Sequence, residues 1–153
     1  MAGYRHLPVL VLAAGCFATQ AADSPIVNGV RLGEHRDFTR VVIDFMGQGA
    51  PYSVRVSDDG LSVAIIAKAK GADGTLPPKK LGLVRDVQWR GVTNGLVVTV
   101  AAGTPVTVKG QGSLAPDSGS RYYRIYVDLE PGQPRPPEPL DEPAPEDSKS
   151  PEQ

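Results

Sequence analysis

The chain has 153 residues, 16 Lys and Arg against 17 Asp and Glu, a formal net charge of −1, two histidines and one cysteine. That length is enough for one domain, and between Asp23 and Glu130 the basic excess is only two (13 against 11), far below the footprint of a nucleic-acid binder. A lone cysteine excludes a disulfide framework, and the two histidines cannot complete a His/Cys metal cluster around it.

Met1 to about Ala22 reads as an export signal. Arg5 gives a weakly basic start, Leu7 to Phe17 is an apolar run too short to span a bilayer as a helix, and Thr19-Gln20-Ala21 supplies small residues before a cut at Ala22. Asp23-Ser24-Pro25 ends the apolar pattern abruptly, which argues against a buried first element. Leu12-Ala13-Ala14-Gly15-Cys16 resembles a bacterial lipoprotein cleavage box, with Ala13 where that box usually has Leu. A lipid on Cys16 would anchor the protein to a membrane, whereas cleavage at Ala21 would discard the thiol. The soluble periplasmic form is the preferred reading, and a membrane partner is expected only if Cys16 is lipidated.

Ile26 to Leu32 reads as the first strand, with Val30 and Leu32 inward and Arg31 outward. A polar turn carrying His35 leads to the strand around which the chain is organised, Phe38 to Phe45. Alternation puts Thr39, Val41, Ile43 and Phe45 on a core face and Phe38, Arg40, Val42 and Asp44 on the other. Tyr52 to Val56 is a third strand, Asp58-Asp59-Gly60 a hairpin turn and Leu61 to Ile66 a fourth strand. Lys68 to Lys80, with two glycines and two prolines, should be an irregular connection.

The pattern then restarts. Leu83 to Trp89 and Leu96 to Val100 flank a turn at Gly91 to Gly95, and Pro105 to Lys109 is a seventh strand. Gly110 to Gly119 reads as a loop, and Arg121 to Leu129 as an eighth strand. Its Ile125, Val127 and Leu129 face in, while Arg124, Tyr126 and Asp128 face out. No stretch has helical periodicity of useful length. The expected fold is all-β, a sandwich of two similar antiparallel sheets with a duplicated strand order over residues 25–130. The joins at Pro51-Tyr52 and Pro105-Val106 occupy equivalent places. We read two similar halves whose sheets face each other, each supplying half the core. From Pro131 to Gln153 the chain holds eight prolines among Glu and Asp and scarcely an apolar side chain. It should be an extended, disordered acidic tail that cannot offset its ordering entropy.

Catalytic chemistry finds little support. After removal of residues 1–22 the one histidine is His35, in a short turn without a nucleophile motif nearby. No phosphate-binding glycine loop is present, no cofactor or metal is implied, and Asp58-Asp59 shapes a hairpin. The positive candidates face outward: Arg31, Arg40, Asp44, Tyr122, Arg124 and Tyr126. Arginine beside an aromatic ring can hold a carboxylate through paired hydrogen bonds while the ring stacks on a sugar face. Against this, Arg40 and Asp44, or Arg124 and Asp128, also fit exposed cross-strand ion pairs of about 0–1 kcal/mol each. Trp89, the single tryptophan, reads as core.

Val27-Asn-Gly-Val-Arg-Leu-Gly33, then Asp37-Phe-Thr-Arg-Val-Val-Ile-Asp44, then Tyr52-Ser-Val, resembles the AMIN domain, and Tyr123-Arg-Ile-Tyr-Val-Asp-Leu129 resembles its last strand. The resemblance spans Ile26 to Glu130 and is looser from Leu83 to Ser118. It implies a periplasmic β-sandwich that binds peptidoglycan and directs an N-acetylmuramoyl-alanine amidase or a secretin to the wall. Arg31, Arg40 and Asp44 match the family's motif. The chain departs from the usual arrangement in that only the acidic tail follows, with no zinc amidase or secretin domain, so a complete amidase is not expected; the missing catalytic motifs make no enzyme the expectation. The expected partners are glycan strands and stem peptides, with binding weak and salt-sensitive because exposed charges are screened over roughly 10 Å. The alternative is an adaptor or assembly protein that contacts an envelope machine through a strand edge or the Pro-rich tail.

Overall fold

Period-two patterning is realised as nine strands in a computed structural model, which describes residues 24–76 and 80–133. They are β1 (Ile26–Glu34), β2 (Thr39–Met46), β3 (Tyr52–Val56), β4 (Ser62–Ala67), β5 (Gly74–Thr75), β6 (Val84–Val92), β7 (Gly95–Ala102), β8 (Val106–Leu114) and β9 (Tyr123–Pro131). The expected export segment with Cys16 lies outside the described residues, as does the tail from residue 134 onward. The first residue of the expected tail, Pro131, instead ends β9, paired with Val106.

Two departures from the sequence reading share one cause. β8 runs on through Gly110 to Leu114, where a loop was expected, and the two-residue β5 lies inside the expected irregular connection. In both, glycine makes room for a ring. A Cβ on Gly112 would stand 2.8 Å from Tyr126, and one on Gly74 would stand 2.3 Å from the Trp89 indole. Glycine here is a packing residue within a ladder, which sequence alone cannot tell from a breaker.

The strands form two antiparallel sheets of related order, β1-β2-β9-β8 and β3-β4-β7-β6-β5. The halves are interleaved: each gives one hairpin to each sheet, and inner strands β2–β9 and β4–β7 join the hairpins. The duplication extends to the prolines. Pro51 O accepts Lys68 N just after β4, and Pro105 O accepts Gly132 N just after β9, both at 2.9 Å. The inward faces enclose one core built from Val41, Ile43, Phe45, Ile125, Val127 and Leu129 of the first sheet. Val63, Ile65, Leu96, Val98, Val100, Val84 and Val87 of the second complete it. Trp89 packs half-buried against its margin.

Thr39 is the one polar residue on the inward face of β2, and it is 1 % exposed. Its Oγ1 accepts the Leu83 N–H at 3.0 Å, tying the first sheet to the approach of β6 in the second. Gly82, at φ +57, makes that approach possible, since a Cβ there would strike the same hydroxyl. Thr39→Val keeps the shape but strands the Leu83 amide. It is expected to cost about 1–3 kcal/mol, measured as a shift of the urea midpoint at constant slope.

Candidate functional site

The outer face of the four-stranded sheet is a grid set by register. One row reads Gly33, Arg40, Asp128, Gly110; the next Arg31, Val42, Tyr126, Gly112; the third Gly29, Asp44, Arg124, Leu114. The two inner strands carry most of the large side chains, while the edge strands contribute four glycines. Five of the six candidate residues therefore converge here: Arg31, Arg40, Asp44, Arg124 and Tyr126. Tyr122 lies just before β9, and its hydroxyl accepts Arg121 Nη2 at 2.9 Å. Its ring carries the Arg121 guanidinium 5.1 Å from the centroid, so it partners that residue rather than the grid.

The charges are paired. Arg31 donates from Nε to Asp44 Oδ2 at 2.8 Å and from Nη2 to Oδ1 at 3.1 Å. Arg40 donates from Nε to Asp128 Oδ1 at 2.6 Å and from Nη2 to Oδ2 at 2.8 Å. These are two-point forks, the strongest form of carboxylate pairing. The pairings weighed from sequence, Arg40 with Asp44 and Arg124 with Asp128, are replaced. Asp44 takes Arg31 and Asp128 takes Arg40, across strands, and both acids are buried, Asp44 at 8 % and Asp128 at 7 % exposed. The hydrogen bond to its aspartate raises each guanidinium above its ordinary value, against an opposing contribution from burial and with a further rise from the charge of the same aspartate.

Arg124 behaves differently. Asp44 lies opposite it in the ladder, yet both Asp44 oxygens serve Arg31. Its Nη2 turns instead to Asp117 Oδ2 at 2.6 Å and Ala115 O at 3.3 Å. Its Nε is buried without a hydrogen-bond partner among the described residues. Asp117 also accepts the Gly119 and Ser120 amides, and Arg124 followed by Gly119 holds its carboxyl below the usual carboxylate range. A carboxyl depressed on folding contributes stability above its unfolded value and loses it as pH falls through the folded one. Acidification through that depressed range is therefore expected to release the 115–120 loop first, and Asp117→Asn to remove that pH step. Amide exchange at Gly119 and Ser120 is the measurement.

Residues outside the sequence-derived candidates extend the face. Arg40 sits 4.7 Å from the Tyr126 ring centroid and 5.5 Å from that of Phe38. His35 stacks on Phe38 at 4.3 Å with the rings 13° apart, and Lys109 Nζ lies 5.2 Å from the Phe38 ring centroid. The result is a continuous row of planar groups, Tyr126–Arg40–Phe38–His35, crossing from β9 to the β1–β2 turn. Phe38 was placed on this face by alternation; His35 and Lys109 come from other elements and had no sequence signal of their own. Among the described residues no three His, Cys, Asp or Glu side chains gather to hold a metal ion.

The fold is a two-sheet β-sandwich whose four-stranded sheet carries arginines, aspartates and aromatic rings on its outer face. The family model for the AMIN-like domain matches residues 25–76, and an AMIN-like domain is thereby identified over that stretch. No curated protein matches the chain. The matched span holds Arg31, Arg40 and Asp44 but not β8 or β9, so Tyr126 and Asp128 join the face through the fold alone. AMIN-like domains are associated in general with peptidoglycan binding at the cell envelope, as non-catalytic modules.

Proposed function

We propose that this protein is a non-catalytic periplasmic module that binds peptidoglycan through the outer face of the β1-β2-β9-β8 sheet. The observation that carries the reading is the convergence of Arg31, Arg40, Asp44, Arg124 and Tyr126, from three strands, on one open face of an AMIN-like fold. Its service would be to hold itself, and any envelope protein it accompanies, at the wall. The sequence adds the export segment, removed at residue 22 or retained as a lipid-bearing Cys16; intact mass of the purified protein distinguishes the two. Incubating the mature chain with purified sacculi tests the binding itself. Retention above that of an unrelated control protein is expected, and retention equal to the control removes the proposal.

The strand edges favour the adaptor alternative less. β1 and β8, at the edges of the four-stranded sheet, each carry an irregularity in register, between Val27 and Gly29 and between Val108 and Gly110. Lys109 sits at the second. Bulges and edge lysines discourage strand addition. In the other sheet β3 has five residues and β5 two.

A further inference from the structure

We infer that the face takes the glycan strand of the wall, through sugar ring faces and hydroxyls, and not the carboxylates of its stem peptides; this rests on the peptidoglycan reading above. The residue types by themselves suggest both ligands, because arginines are natural carboxylate partners and neighbouring rings stack on sugars. The geometry removes the carboxylate role. On Arg31 and Arg40 the Nε/Nη2 edge is already filled by a fixed aspartate, and the charge is neutralised there. An incoming carboxylate would meet a neutral pair whose anionic half repels it. Arg124 is the least accessible of the three, with its side chain 15 % exposed and held by Asp117.

What the pairs leave available suits an uncharged, hydroxyl-rich ligand. Among the described residues the hydrogen bonds of Arg31 and Arg40 use Nε and Nη2, which leaves Nη1 for a hydroxyl oxygen to accept from without separating an ion pair. Beside them runs the row Tyr126–Arg40–Phe38–His35, whose planar groups are fixed by mutual stacking and by the Asp128 fork. Phe38, stacked on His35 and approached by Arg40 and Lys109, holds the row together. The surface offered to a sugar is the row's outer edge with its end rings, His35 and Tyr126, presented beside preorganised donors at little ordering cost. The glycines matter as well. Gly33 on one edge strand and Gly110 on the other keep both ends of the Arg40–Asp128 row low. A linear polymer can then lie across all four strands and continue past either edge, whereas a compact ligand would need walls.

The test uses the mature chain and two soluble probes: uncharged N-acetylglucosamine oligomers and free stem peptide. Each is titrated by calorimetry and used to compete for purified sacculi at about 50 mM and about 0.5 M salt, which spans strong and nearly complete screening of exposed charges. The sugar oligomers are expected to bind and to compete, with less than about a twofold change between the two salts, while stem peptide does neither. Phe38→Ala and Tyr126→Ala are each expected to weaken oligomer binding roughly tenfold. His35→Ala, at an exposed turn, shortens the row without touching the core and should weaken it in the same direction. Unchanged thermal midpoints show that these variants are folded. Sacculus retention competed only by stem peptide and abolished by salt overturns the inference but leaves the peptidoglycan reading intact. Oligomer binding indifferent to Phe38, Tyr126 and His35 overturns the assignment to this face. No retention on sacculi removes the underlying reading itself.

Discussion

Phe45→Ala is expected to lower the unfolding free energy by about 3–5 kcal/mol, the largest single effect in the molecule. Phe45 is 1 % exposed and heads the fully buried side chains by size. It lies on an inner strand, between β1 and β9, so neither neighbour can close over the void without breaking its own ladder. Domains of this size are stable by about 5–15 kcal/mol, so the variant should be partly unfolded under mild denaturant. The measurement is a urea titration at constant slope. Ile66→Ala is the control: Ile66 is 36 % exposed on the outer face of the second sheet and should shift the midpoint by no more than about a third as much. Equal effects at the two positions would mean that the inward face of β2 is not the core.

Asp128→Ala is expected to cost about 2–3 kcal/mol and to disorder the planar row at the same time. The carboxylate is buried, and its removal takes both fork bonds from Arg40. The cost stays below that of a deeply buried pair because the Arg40 side chain is 34 % exposed and recovers some hydration. Arg40→Ala removes the other partner, and the double variant completes a cycle that isolates the coupling. An Asp128→Ala cost matching that of an exposed pair, within about 1 kcal/mol, would show that the fork contributes little despite its geometry. The two readouts separate structure from function: stability by urea, and row order by the environment of the Tyr126 ring in NMR.

Much of the fold was legible because alternation is a local property. Val41, Ile43 and Phe45 against Arg40, Val42 and Asp44 could be sorted from adjacent letters, and the same held for Ile125, Val127 and Leu129. The inward Thr39 was the exception in that pattern, and its partner, Leu83, lies 44 residues away. The misread loop at Gly110–Leu114 has a similar origin. Glycine means a turn when judged by its neighbours in the chain, and a seat for Tyr126 when judged by its neighbour in the sheet.

The candidate site divides along the same line. Outwardness of Arg31, Arg40, Arg124 and Tyr126 followed from period two, but which charge meets which did not. Arg40 finds Asp128 across 88 positions, Arg31 finds Asp44 across 13, and Arg124 turns to the loop before its own strand. Residue type and spacing along single strands are enough to give the two-faced strands, the near-neutral charge and the outward arginines. Neutralisation of those arginines, and the row shared by His35, Phe38 and Tyr126, arise only from contacts between segments that folding brings together. Register between distant strands sets those distances, and it emerges only when the two hairpins of a sheet close on a common core.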